Sequence, residues 1–60
     1  MTKPLMNITE TSLFLGIAKD TIYAWVHKRQ IPFVKLGGRL FFKTKDIEQF
    51  IEDNTFKPAV

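Results

Sequence analysis

A chain of 60 residues without a single cysteine has to hold itself together by apolar packing alone. A chain this short buries only about 60% of the surface its unfolded form exposes, so it has room for one core and no second. Without thiols there is no disulfide staple, no thiolate metal site and no thiol nucleophile. His27 is the only histidine, which also removes a zinc site built from side-chain nitrogen and sulfur. The apolar share of 45% is enough for a packed domain and argues against a disordered segment. One domain over residues 1–60 is expected, with its core over about 6–54 and a frayed tail over 55–60. No apolar run approaches the roughly 20 residues of a membrane span. The start, Met1-Thr2-Lys3-Pro4-Leu5-Met6-Asn7, lacks the apolar stretch of a signal peptide, and the expected compartment is the cytoplasm.

Three helices and one hairpin can be read along the chain. Asn7-Ile8-Thr9-Glu10 has the spacing of a capping box. The helix it opens carries Ile8, Ser12 and Leu15 on one face with Phe14 beside them, and Gly16 is placed to end it. A second helix starts near Ala18 and repeats Ile22, Trp25, Val26 and the stem of Arg29 as a buried stripe, with Pro32 as its expected end. Lys28 and Arg29 fall in its last turn, where the helix dipole favours cations. Phe33-Val34-Lys35-Leu36 and Arg39-Leu40-Phe41-Phe42 flank Gly37-Gly38 and read as a hairpin. A two-residue loop would pair Leu36 with Arg39 and Val34 with Phe41, mixing the faces. A three-residue loop would pair Leu36 with Leu40 and Val34 with Phe42, placing four apolar side chains on one face, and is the favoured register. The last helix is expected from an N-cap at Thr44, with Ile47, Phe50 and Ile51 as its apolar stripe and Glu52, Asp53 and Asn54 at its close. The phenylalanines and Trp25 are expected to fill the core.

Charge is distributed unevenly along this framework. Residues 19–45 hold Lys19, Lys28, Arg29, Lys35, Arg39, Lys43 and Lys45 against Asp20 alone, a local balance of +6 within a total of +3. A field of one sign on part of a small domain points to an anionic partner, nucleic acid first. Two short helices joined through Gly16 make a helix-turn-helix. A basic-tipped hairpin after them makes a winged one, so the expected fold is mainly α with a small β-hairpin, in the order α-α-β-β-α. In such a module the second helix keeps one stripe in the core and offers the opposite face to a groove. Gly37 and Gly38 let the hairpin tip approach a backbone closely. Arg39 supplies a fork of donors suited to phosphate or to the acceptor edge of guanine.

The run GIAKDTIYAWVHKRQIPFVKLGGRLFFKTKDIEQFI resembles the excisionase-type, MerR-like winged helix-turn-helix family, which includes AlpA-like phage regulators. The landmarks are Gly16, Thr21, Tyr23, Trp25, Ile31-Pro32, Gly37-Gly38-Arg39, Asp46-Ile47 and Phe50, and the match spans roughly Met6 to Ile51. The resemblance implies a small DNA-binding domain whose second helix enters the major groove and whose wing touches the flanking backbone or minor groove. It also implies a role in recombination directionality or in transcription of mobile elements and prophages. Ala18 stands where the family usually has serine, so an N-cap is missing. Asp20 and Ala24 stand where basic residues are common, and Leu13 where polar ones are.

The expected DNA contacts follow from position. Lys19 and Thr21, at the start of the second helix, face base edges. Asp20 either accepts from cytosine N4 or repels phosphate, and Ala24 shares that face. Tyr23 either contacts phosphate through its hydroxyl or packs. Lys28 is a phosphate ligand or a solvated helix-end charge, and Lys35, Gly37, Gly38 and Arg39 form the clamp on the wing. His27 is expected to be exposed beside the DNA and not to act as a base. No catalytic triad can be assembled around one exposed imidazole, and Gly37-Gly38 lacks the lysine and helix of a nucleotide-binding loop. No enzymatic activity, cofactor, metal or small-molecule substrate is therefore expected. The expected partners are double-stranded DNA and, beside it, an integrase or another copy of the chain on an adjacent site. A single module of this size buries only about 600–1,000 Å² on DNA, so specificity calls for such neighbours. The alternative is a protein-interaction module that uses Leu5, Met6, Leu13 and the acidic last helix to bind an integrase or repressor.

Overall fold

A computed structural model describes residues 3–56. The elements run β1 (Leu5–Met6), α1 (Ile8–Leu15), α2 (Lys19–His27), β2 (Val34–Leu36), β3 (Arg39–Lys43) and α3 (Thr44–Asp53). Three helices and a hairpin give the winged helix-turn-helix expected above. The strand β1 was not expected; it turns the hairpin into a three-stranded antiparallel sheet in the order β1-β3-β2.

Local chemistry accounts for α1 at both ends. The Asn7 side-chain oxygen accepts from the Glu10 N–H at 2.8 Å, and the Glu10 carboxylate accepts from the Asn7 N–H at 3.0 Å, completing the capping box. Lys3 donates to the same carboxylate at 2.5 Å. That bond first, and the Asn7 N–H second, hold the Glu10 carboxyl below its usual value. Gly16 ends the helix in the left-handed conformation at φ 68°. The Ser12 carbonyl accepts from the N–H groups of Gly16 and Ile17, and the Ser12 hydroxyl donates to the Ile17 carbonyl at 2.6 Å. The three-residue turn Gly16-Ile17-Ala18 is thereby fixed from both of its polar sides.

Met6, Ile22, Ile31, Phe42 and Ile47 form the core, flanked by partly buried Ile8, Leu15, Ile17, Trp25, Val26, Phe33, Leu40 and Phe50. Thr11 is also fully buried, and its hydroxyl is satisfied by the Asn7 carbonyl at 2.8 Å. Trp25 is core-facing but only partly buried, its ring 5.8 Å from that of Phe50 in a tilted arrangement. Three of the phenylalanines lie outside this cluster: Phe14 is 47% and Phe56 93% exposed, and Phe41 is half-buried on the hairpin. Residues 57–60 of the expected tail lie outside the described residues.

Three features differ from expectation, each for a local reason. The hairpin pairs Leu36 with Arg39, Lys35 with Leu40 and Val34 with Phe41, which is the two-residue register. Gly37 and Gly38 both take positive φ, 56° and 79°, as a two-residue primed turn requires. The turn decides the register, and no left-handed strain falls on Arg39. The second helix stops at His27, well before Pro32, because Arg29 turns left-handed at φ 56°. The Arg29 N–H donates to the Val26 carbonyl at 3.0 Å and the Gln30 N–H to that of Trp25 at 2.8 Å, a Schellman closure. The Arg29 stem is therefore exposed, and the reversed chain sends Ile31 (3% exposed) into the core instead. Lys43, not Thr44, caps α3. The Thr44 hydroxyl donates to the Lys3 carbonyl and its N–H to that of Pro4 at 3.0 Å, so it ties the segment leading into β1 to the start of α3 and caps nothing.

Candidate nucleic-acid interface

The second helix begins without a side-chain cap. Ala18 is extended and offers only its carbonyl, which accepts from Thr21 and Ile22 at 3.1 and 3.2 Å. What holds the helix is its inner face, where Ile22 is wholly buried and Trp25 and Val26 pack on the core. At about 100° per residue, the other positions fall on one crest and two edges. Lys19 and Tyr23 share an edge with Val26. Asp20, Ala24 and His27 form the crest, and Thr21 and Lys28 form the opposite edge beside Trp25. All of these crest and edge positions except Val26 are exposed.

The hairpin stands against the Tyr23 edge. Tyr23, His27, Arg29, Lys35, Gly38 and Leu40 line a cleft between α2 and the wing. Of the expected contacts, the fold thus brings Tyr23, Lys35 and Gly38 together. Lys19 continues the Tyr23 edge toward the helix start. Thr21 and Lys28 lie across the crest, away from the wing.

The corrected register also decides where Arg39 goes. Directly paired residues share a face and successive residues alternate. Lys35 and Leu40 face the cleft, so Leu36 and Arg39 project from the other face of the wing. Arg39 is exposed at the tip, positioned for a contact beyond the cleft and not inside it. Beside it, an added Cβ at Gly37 or Gly38 would meet nothing within 4 Å. Both glycines therefore serve the turn's backbone conformation, and the tip is open to a close approach.

Two polar cleft residues, His27 and Arg29, were not among the expected contacts. His27 was placed near DNA without a role, and Arg29 was assigned to the buried stripe. The residues that end helices left-handed are usually glycine or asparagine, and an arginine at that place gives no such signal. Its conformation costs on the order of 1 kcal/mol for a residue with a side chain. No carboxylate lines the cleft, and the ion pair found among the described residues, Lys3–Glu10, lies at the start of α1.

Residues 5–55 match the family model described as "Helix-turn-helix domain". No curated protein and no solved structure matches the chain significantly. The chain belongs to the helix-turn-helix domain family of the excisionase and AlpA-like type, a family of DNA-binding domains that is typically non-enzymatic. No helix among the described residues is long and apolar enough to cross a membrane.

Proposed function

We propose that this helix-turn-helix domain binds double-stranded DNA sequence-specifically in the cytoplasm, as an excisionase-like recombination directionality factor or a transcriptional regulator of a mobile element or prophage. The observation that carries this is the exposed face of α2 standing beside a wing across a cleft with cations and no carboxylate on its walls. Lys19 and Thr21, with Asp20 and Ala24 on the crest, meet base edges in the major groove. Tyr23, Lys28 and Lys35 contact backbone phosphates, and the Gly37-Gly38-Arg39 tip reaches the flanking backbone or minor groove. Duplex affinity measured across a salt series tests it. Each neutralised phosphate contributes about −0.9 to the slope of log affinity against log salt, so a steep fall is expected. Replacing Lys28 and Arg39 by alanine should weaken binding to every sequence, whereas changing Lys19 or Thr21 should alter preference among sequences. No duplex binding at low salt would refute the proposal.

One observation favours a second surface on the same domain. Leu13 is 79% exposed on α1, and Phe14 beside it is 47% exposed. An integrase or repressor could be met there. Met6 is buried in the core and does not serve such a contact, whereas Leu5 is only half-buried on the edge strand β1.

A further inference from the structure

Arg29 is the only non-glycine among the described residues with a positive φ. The helix stop it makes uses backbone groups alone, and glycine would make the same stop without steric penalty. An arginine here needs another reason. Its charge favours the negative end of the α2 dipole, but a cation one residue earlier, at Lys28, already provides that without strain. What Arg29 has and Lys28 lacks is a place in the cleft, which Lys35 on the facing strand and Tyr23 and His27 on α2 also line. Gly38 adds no side chain of its own to the wing side of that cleft.

We propose that Arg29 is a DNA-phosphate contact, gripping one backbone phosphate together with Lys35 in the cleft between α2 and the wing. This rests on the duplex binding proposed above. The left-handed turn ends the helix at the point where a guanidinium enters the cleft and does not continue along the helix surface. A planar fork of donors suits a phosphodiester, which can accept two parallel hydrogen bonds. The contact carries no sequence information; it sets the depth at which α2 docks.

The test compares the wild-type chain with Arg29→Gly and Arg29→Gln in duplex binding across a salt series and in thermal denaturation. Both variants should lose affinity equally for all duplex sequences, and both slopes should be shallower by about 0.9. Arg29→Gly should also melt higher than Arg29→Gln, because only glycine relieves the backbone. A glycine variant that binds with wild-type affinity and slope overturns the Arg29 assignment while leaving DNA binding intact. A wild-type chain that fails to bind duplex at low salt removes the DNA reading and this contact together.

Discussion

The two helices of the turn are nearly equal in length, yet they are held in opposite ways. The first is closed locally: a reciprocal cap at Asn7 and Glu10, and glycine at its left-handed end. The second starts on Ala18 with no side-chain cap and ends on a left-handed arginine. The cap residues of α1 are those that local preference selects and the cap residues of α2 are not, and α2 is the helix with the exposed face and the cleft. The helix that only builds the scaffold agrees with intrinsic preference, whereas the helix proposed to bind departs from it and relies on its surroundings. Tertiary packing at Ile22 is what α2 has in place of caps.

The contrast can be broken at three points. The largest effect should come from Ile22→Ala, which removes the wholly buried anchor of α2 and should destabilise by about 2–5 kcal/mol in urea unfolding. A loss under 1 kcal/mol would mean that α2 does not depend on its inner face. Next, Asn7→Ala should cost about 1–2 kcal/mol, since it leaves the Glu10 N–H without its acceptor and breaks the reciprocal box. An unchanged midpoint would show that α1 is no better closed than α2. The smallest effect is a gain: Ala18→Ser should stabilise by about 0.5–1 kcal/mol by supplying the missing cap. For a domain this small that is a rise in Tm of several degrees. Failure to gain would mean that the start of α2 already has its N–H groups satisfied.

Those same features sort what could be read from sequence. The capping box, the Gly16 stop, the missing cap at Ala18 and the hairpin around Gly37-Gly38 each have a signature within a few residues, and each was legible. Register was not, because two local cues disagreed. Apolar matching favoured Leu36 opposite Leu40, while the paired glycines favoured a primed turn, and the turn prevailed. The strand β1 is only Leu5–Met6, too short for any alternation, and it exists through partners at Phe42 and Lys43. The end of α2 was misplaced because arginine is not a residue that announces a left-handed stop. Within the site, the face of α2 was legible from the spacing of Ile22, Trp25 and Val26. The side of the wing that bears Arg39 depended on the register and was not.

One feature of the chain path bears on how the domain responds to load. The strand β3 ends at Lys43 and α3 begins at Thr44, with no hinge between them. On its other side β3 is flanked by β1, and Thr44 is bonded back to Lys3. A push on the base of the wing therefore passes directly into α3, with no loop between them to absorb it. The base of the wing and the third helix thus form one continuous arm, while the two-stranded tip beyond Phe42 extends past the span that β1 braces.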